Sequence, residues 1–435
     1  MAGEAAREAA LPAGLAGRAA LGTLLRGRNL RLRLVGGTIS VLGDQMYLVA
    51  LPWLVLQTTG DAFAVGAVLA LAAVPRAVFM VPGGAFTDRF SSRLVMFISN
   101  VLRGLLVGLV ATAVLLGQTH LWLLYAQALA FGLVDGFFYP ASSAVMPQIL
   151  EPEQLQSGNA VTQGAAQAAS FVGPVLAGAV IATCEAGGGS ASLGSAIALL
   201  ATGLCFLASA LLLRLLRPRR ASGVAAQGNV LQSVRESLLY AWRDEALRTV
   251  LPLMSVFTLL MYGPIAVGVP VLADTRFPER AAAFGLIMSA WGGGAVLGSA
   301  LALFLPRPRA AWTGPLVLAL AAVPGPGLVL LGLTYSTLVA ALDGLVIGAA
   351  AGYLAVLFLT WLQLRTPEAL LGRVMGLMLF GSVGLTPVSL ALAGALIAVD
   401  VTLLFLGAGV LLVLVVALAA LSPTVRSLGR EMSTT

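Results

Sequence analysis

The stretch Leu176-Ala-Gly-Ala-Val-Ile-Ala182 returns almost unchanged as Leu392-Ala-Gly-Ala-Leu-Ile-Ala398, 216 residues later in a chain of 435 residues. A second match, Pro152-Glu153 with Pro367-Glu368, has an offset of 215 residues. Both matches stand at corresponding places, before and along the fifth apolar segment of each half. The sequence therefore predicts a duplicated chain. Parallel repeats about an axis along the membrane normal are an architecture in which a ligand binds midway between the two halves.

The composition around this repeat is that of a membrane protein. Hydrophobic residues make up 59% of the chain and charged residues 10%, against about 25% charged residues in soluble proteins. A bilayer core of about 30 Å requires about 20 apolar residues in a helix. We predict an all-α integral membrane fold of twelve transmembrane helices, arranged as two six-helix bundles related by a pseudo-two-fold axis. The predicted spans are 32–57, 63–87, 94–117, 121–146, 157–183, 194–216, 247–273, 282–305, 312–334, 337–364, 371–398 and 401–422.

Arginine placement predicts the orientation of these spans. If the N-terminus is cytoplasmic, 21 arginines fall in cytoplasmic segments and only Arg276 and Arg280 fall in outer loops. This asymmetry follows the positive-inside rule and places both termini in the cytoplasm. We expect a multi-pass protein of a bacterial cytoplasmic (inner) membrane. Its predicted parts are a cytoplasmic tail (1–29), a first bundle (30–216), a central cytoplasmic loop (217–246), a second bundle (247–422) and a C-terminal tail (423–435).

The central loop contains a segment with apolar residues at helical spacing, starting at Asn229. It predicts an amphipathic helix along the cytoplasmic membrane surface, with Asn229 as its cap. The alternative is a passive helix that links the two bundles.

Several classes of chemistry are excluded by residue types. All 25 basic residues are arginine, so the chain lacks the lysine that a Walker A loop or a Schiff base needs. One histidine, His120, and two cysteines, Cys184 and Cys205, are too few for a Cys/His metal cluster. We expect no cofactor, no metal and no enzymatic activity. The net charge of +7 lies at the ends of spans, so we expect a bilayer as partner and neither nucleic acid nor ATP.

Four charges lie deep in the first half: Asp44, Arg76, Arg103 and Asp135. A charge at the centre of a bilayer costs about 2.5–3.5 kcal/mol on insertion scales, so such residues face a cavity or each other. Two acids and two bases indicate pairing. An acid placed between burial and a neighbouring arginine can bind and release a proton, and we take Asp44 first and Asp135 second as proton-coupling candidates, with Arg103 and Arg76 beside them. The alternative is a permanent ion pair that fixes helix packing.

Aromatic residues within the spans are candidates for lining a substrate cavity. Most aromatic residues at helical spacing serve packing or the interfacial belt instead, which remains the alternative for each of them. The candidates are Tyr47, Trp53, Phe138, Tyr139, Tyr262, Tyr353 and Trp361.

The loop after the second span carries Gly84, Asp88, Arg89 and Arg93. Its spacing resembles the loop signature of the major facilitator superfamily, GxxxDRxGRR, with serine at positions 91 and 92. Physically, the glycine permits close helix approach, and the acid can bind at the positive N-terminus of a neighbouring helix. By the resemblance, that helix is the eleventh, starting near Gly372, and the contact is a conformational latch on the cytoplasmic side. The alternative is a solvated turn with a topogenic arginine pair.

The fifth span contains Gly173-Pro174 followed by Gly178. This resembles the antiporter motif of the family's exporters, GPxxGG, with Ala177 in place of one glycine. Proline removes a backbone hydrogen bond and glycines permit close contact, which predicts a kinked helix at the interface of the two halves. The motif favours export over import.

Taken together, residues 30–422 resemble the drug:proton antiporter branch of this superfamily, which includes macrolide-efflux proteins and the enterobactin exporter. The resemblance implies alternating access and export of amphipathic small molecules driven by protons, by a chain we expect to be monomeric. The chain departs from the antiporter pattern in one respect, because the first half of the fourth span has no basic residue. Arg103 or Arg76, from neighbouring spans, could take its place. The alternatives are uptake or facilitated diffusion of a small nutrient, and a non-transporting receptor or assembly partner.

Overall fold

The computed structural model describes residues 27–151, 154–217, 242–305, 310–366 and 384–427. All regular secondary structure in these ranges is helical, and eleven of the helices are long and apolar enough to cross a membrane. We number the membrane helices along the chain: α1 Arg28–Thr59, α2 Ala62–Arg89, α3 Ser92–Leu115, α4 Leu121–Ala144, α5 Leu155–Ala186, α6 Ala191–Arg214, α7 Glu245–Arg276, α8 Ala281–Phe304, α9 Ala310–Ala322 continued by Pro324–Leu333, α10 Thr337–Arg365, α11 Thr386–Ile397 and α12 Val401–Leu421.

The predicted all-α membrane fold is confirmed. The predicted span 371–398 is described only from residue 384, so its first part lies outside the described residues. The amphipathic helix expected after Asn229, most of the 1–29 tail and the end of the C-terminal tail also lie outside them. The predicted domain boundaries remain predictions.

One local difference concerns the predicted loop 84–93. The helix α2 continues through Arg89, and only Phe90 and Ser91 join it to α3. The Phe90 N–H donates to the Phe86 carbonyl, and the two rings stack at 4.2 Å. These contacts stabilise the last turn of α2 as helix, although Gly84 would permit other backbone conformations.

The helix ends are set by short polar side chains. Asp61 accepts a hydrogen bond from the Phe63 N–H at the start of α2, and Asp400 accepts from the Thr402 N–H at the start of α12. Gly60 ends α1 in the left-handed conformation, with φ of 64°. Such caps satisfy the free backbone groups of helix termini and place the turns.

A π turn interrupts α7 at Pro264–Gly268. Proline has no N–H to continue the helical pattern, and just before it Ser389 of α11 bridges an N–H and a carbonyl of α7. The Gly263 N–H donates to Ser389 Oγ at 2.7 Å, and Ser389 Oγ donates to the Leu259 carbonyl at 2.5 Å. This contact joins α7 to α11.

The same helix pairs recur in both halves. In the first half α2 packs on α4, α3 on α6 and α1 on α5; in the second half α8 packs on α10, α9 on α12 and α7 on α11. Between the halves, α5 packs on α8 and α2 on α11. The two interfaces are related in the same way as the two halves.

In the described ranges, the two halves meet at one end of the molecule, the end where α1 ends and α2 begins, which we call the α1–α2 end. One buried hydrophobic core here includes residues of both halves, such as Trp53 and Phe284. At the opposite end, each half has a separate core, one around Leu216 and one around Trp361. The described structure is therefore closed at the α1–α2 end and divided at the opposite end.

Candidate functional site

Four charged side chains from four helices meet in the first half. Arg103 Nη2 of α3 is hydrogen-bonded to Asp135 Oδ1 of α4 and lies 3.4 Å from Asp44 Oδ1 of α1. Arg76 Nη1 of α2 lies 3.8 Å from Asp135 Oδ2. The structure thus brings all four predicted proton-coupling candidates into one group, which we call the charge cluster.

The members of the charge cluster differ in exposure. The Arg103 side chain is 0% exposed and that of Asp135 is 5% exposed, whereas Asp44 and Arg76 are each 23% exposed. Arg103 and Asp135 therefore form the buried pair of the cluster. Asp44 is the more exposed of the two carboxylates.

Three aromatic rings surround the Arg103 guanidinium. Its Cζ lies 4.2 Å from the ring centroid of Phe138, 5.1 Å from that of Phe206 and 5.2 Å from that of Phe131. A desolvated guanidinium over aromatic faces gains cation–π attraction. These rings hold Arg103 where it can contact both carboxylates, and they keep water from its buried side.

A chain of hydrogen bonds anchors the cluster to three helices. Arg103 Nη1 donates to Asn100 Oδ1 at 3.4 Å, and Asn100 Nδ2 donates to Ser209 Oγ of α6 at 2.8 Å. Ser209 Oγ donates in turn to the Gly36 carbonyl of α1 at 2.6 Å. Sequence reasoning missed this chain, although an asparagine one turn before a buried arginine in an apolar span was the available signal.

Three of the predicted cavity aromatics lie at the charge cluster. Phe138 packs under Arg103, and Tyr139, whose residue is 44% exposed, is an electrostatic neighbour of all four charges. Tyr262 of α7 is an electrostatic neighbour of Arg76 and comes from the second half. Tyrosines from both halves therefore lie near the cluster.

The other predicted cavity aromatics lie elsewhere. Tyr47 is buried, stacks on Phe131 and donates to Gln127 Oε1 at 3.1 Å. Trp53 is fully buried near the α1–α2 end, Trp361 is buried in the core of the second half and Tyr353 is partly buried on α10. In this conformation Tyr47 and Trp53 serve packing.

The Gly-Pro motif of α5 lies at helix–helix contacts. A Cβ at Gly173 would lie 2.5 Å from the Gln45 Cβ of α1, and one at Gly178 would lie 2.9 Å from the Gly285 Cα of α8. The repeat-related Gly394 of α11 packs in the same way on Gly66 of α2, where a Cβ would lie 3.1 Å from the Gly66 Cα. The two copies of the repeated motif thus form the two interfaces between the halves.

A polar contact at the α1–α2 end also joins the halves. Gln57 Nε2 of α1 donates to Asp274 Oδ1 of α7 at 3.0 Å, and Arg280 Nη2 lies 2.5 Å from the same oxygen. Arg280 Nη2 also donates to Gln57 Oε1 at 3.3 Å. Arg280 has an unusual φ of 45°. We name this group the Gln57–Asp274–Arg280 contact; no sequence motif marks any of the three residues as functional.

Of the predicted latch residues, Arg93 is the one whose side chain is described. Arg93 Nη1 donates to the Leu216 carbonyl at the end of the first half, at 2.7 Å. Gly84, Asp88 and Arg89 lie in the last turns of α2, and their side chains lie outside the described part of the structure, as does the expected partner helix near Gly372.

Comparison with known proteins places this geometry in a family. The chain is 28% identical over 371 residues to the multidrug efflux pump Tap of Mycolicibacterium fortuitum, a match that covers 81% of this chain and 85% of that pump. It is 27% identical over 367 residues to Tap of Mycobacterium tuberculosis, covering 81% of this chain and 83% of that pump. Its fold superimposes on the crystal structure of the nucleoside transporter NupG with a TM-score of 0.70 at 13% identity, over 89% of this chain and 99% of the other.

The match to a family model decides the classification. The model described as Major Facilitator Superfamily matches residues 34–385, which is more than half of the chain. With the two similar helix bundles, this match makes the chain a membrane transporter rather than an enzyme, with relatives among multidrug efflux pumps. The chain belongs to the Major Facilitator Superfamily.

Proposed function

We propose that this transporter exports amphipathic small molecules by proton antiport through alternating access. The observation that carries the proposal is the charge cluster, in which a partly exposed Asp44 shares Arg103 with a buried Asp135. Embedding four charges in a membrane bundle is costly, and the exposed position of one acid leaves it available for proton exchange. The relatives named as multidrug efflux pumps support a drug or natural product as the substrate class.

The cluster suggests how a proton changes the contacts. While Asp44 is ionised, Arg103 is attracted by two carboxylates. A proton on Asp44 removes one of these attractions and leaves the Arg103–Asp135 pair, so the tie between α1 and α3 weakens. A ligand that interacts with ionised Asp44 then loses its partner. Proton binding and substrate binding at this position would oppose each other, as antiport requires.

Alternating access would consist of rocking of the two halves about the interfaces α5–α8 and α2–α11. The closure at the α1–α2 end and the division at the opposite end support a state open to one side. With the arginine-based orientation, in which both termini are cytoplasmic, that side is the cytoplasm of a bacterial cell. The predicted latch of Gly84, Asp88, Arg89 and Arg93 would close this side in the other state. We extend the proposal to a monomer that has protons and the substrate as its partners.

The test is accumulation of a fluorescent amphipathic cation in pump-deficient bacteria, with and without a protonophore. We expect the chain to lower accumulation and the protonophore to abolish the effect. Asp44→Asn should abolish gradient-driven export while ligand binding is retained. The matched control is Asp61→Asn, since Asp61 is an exposed cap on α2 and asparagine caps a helix equally well.

Two outcomes would contradict the proposal. Unchanged export by Asp44→Asn would exclude Asp44 as the coupling acid, and the same assay on Asp135→Asn would then examine the second candidate. Substrate movement in the opposite direction, measured in everted membrane vesicles under a proton gradient, would replace export with uptake.

A further inference from the structure

An apolar cavity lies within the second half. Its volume is about 270 Å³, and its walls come from α7, α9, α10 and α12. Phe257, Phe358, Trp361 and Met254 supply the large side chains of the lining, and the alanines 321, 351 and 419 supply the small ones. Voids larger than a water molecule are few in protein interiors, and apolar cavities of this order bind apolar ligands.

The position of the cavity in the duplicated fold is specific. Gly325 of α9 meets Gly409 of α12 through the same backbone atoms through which Gly104 of α3 meets Gly203 of α6, so Ala321 of α9 corresponds to Asn100 of α3. Counted from the start of each helix, Ala351 of α10 corresponds to Asp135 of α4. The cavity is therefore the second-half counterpart of the buried side of the charge cluster, with alanine in place of the buried aspartate and of the asparagine that accepts from Arg103.

The rest of the lining follows the same correspondence. Leu354 stands where the first half has Phe138, and Val415 of α12 stands where α6 has Ser209, which completes the hydrogen-bond chain in the first half. Charged, amide, aromatic and hydroxyl side chains are replaced by apolar ones at equivalent positions. The removed volume and charge account for a hydrophobic cavity where the first half is filled.

The cavity and the charge cluster lie close to each other along α7. Phe257 lines the cavity, and Tyr262, five residues further along this helix, is an electrostatic neighbour of Arg76 in the cluster. Five residues of helix span about 8 Å. An apolar compartment in one half thus adjoins a charged one in the other, an arrangement that matches a molecule with one apolar and one polar end.

We propose that this cavity binds the apolar part of the exported amphipathic compound. The inference rests on the proposed function and deepens it by assigning the two ends of the substrate to the two halves. The exposure of Ala355 and the partial exposure of Phe257 and Leu354 give the cavity an opening. Apolar transfer of about 0.8 kcal/mol per methylene corresponds to about a fourfold gain in affinity for each added methylene.

The experiment uses the purified full chain in lipid nanodiscs. Alkyltrimethylammonium ions of increasing chain length displace radiolabelled tetraphenylphosphonium, which gives an affinity for each chain length. The cavity is filled by Ala419→Phe, and the matched control is Ala417→Phe, which makes the same change two residues earlier on the exposed face of α12. Partitioning of the ions into the bilayer is the same for all variants, so only differences between variants count.

We expect the affinity of the unmodified chain and of Ala417→Phe to rise about fourfold per methylene up to a limiting chain length. In Ala419→Phe the rise should stop at a shorter chain, with unchanged affinity for the shortest members. Ala321→Phe fills the cavity from α9 and should act alike, and Ala321→Leu adds less volume if either phenylalanine variant does not fold.

Identical chain-length curves for all variants would overturn the proposal. So would a co-purified phospholipid, detected by mass spectrometry, whose amount falls only in the filled variants, since the occupant would then be a lipid chain. The binding measurement needs no proton gradient. Its failure is therefore distinguishable from failure of export, which is read from protonophore-sensitive accumulation.

Discussion

The contact between Gly178 and Gly285 predicts how a single methyl group changes the conformational equilibrium. In Gly178→Ala, the new Cβ would lie 2.9 Å from the Ala281 carbonyl oxygen and 2.9 Å from the Gly285 Cα. Unstrained contacts between carbon atoms have separations of about 3.5–4.0 Å, so α5 and α8 must move apart by about 0.5–1 Å. Because both contacting atoms belong to the backbone, no side chain can rotate away.

The cost of this methyl group falls on the closed α1–α2 end. Overpacking of a tight contact costs about 1–3 kcal/mol. If the opposite state separates α5 from α8 at this end, the substitution shifts the equilibrium towards that state by about 5- to 150-fold. Gly394→Ala at the repeat-related interface should act in the same direction.

Pulsed electron spin resonance measures this shift as a change in a distance distribution. Spin labels at Gln118→Cys and Tyr335→Cys, in a chain with Cys184 and Cys205 replaced by serine, report the separation of the halves at the α1–α2 end. Gly178→Ala should increase the long-distance population. Gly407→Ala is the control, because a Cβ there would meet nothing within 4 Å. An unchanged distribution in Gly178→Ala would refute the reasoning.

Three further substitutions address other contacts. Arg280→Gln breaks the Gln57–Asp274–Arg280 contact. Since the arginine side chain is 44% exposed, we expect the conformational equilibrium to shift by no more than about 1 kcal/mol towards the state that is open at the α1–α2 end. An unchanged distance distribution between the same spin labels would show that the contact does not stabilise the closed state. Ser389→Ala leaves a backbone donor and acceptor of α7 without their partner and should lower the free energy of unfolding by about 1–3 kcal/mol, seen as a lower Tm; an unaltered Tm would contradict the bridging role. Arg103→Gln should lower it by about 3–5 kcal/mol, and the double variant with Asp135→Asn should recover part of that loss; additive losses would show that the two residues are not coupled.

The sequence was sufficient for the helices and for the grouping of deep charges. Helix positions follow from the length of apolar runs, because the bilayer thickness determines how many residues a span needs. The grouping of Asp44, Arg76, Arg103 and Asp135 follows from the cost of an isolated charge in a membrane. Both arguments depend on the cost of placing polar or charged groups in the bilayer. That cost is several kcal/mol, so few other placements of the spans and charges are possible.

Contacts that depend on helix rotation could not be predicted. A span that is apolar on all sides does not show which face meets its neighbours. Asn100 with Ser209, and Gln57 with Asp274, are therefore visible only when the helices are packed. The same holds for the Ser389 bridge to the π turn of α7, because it depends on a local departure from the helical pattern.

The distribution of hydrophobic cores has an energetic consequence for the motion between states. At the divided end each half has its own core. Closing that end therefore brings two surfaces into contact without rearranging either core. At the α1–α2 end the halves share one core, so opening that end uncovers apolar surface. Exposure of such surface to water raises the heat capacity. The free-energy difference between the two states should therefore depend on temperature in a non-linear way. The conformation in which the molecule rests is then set by temperature as well as by protons and substrate.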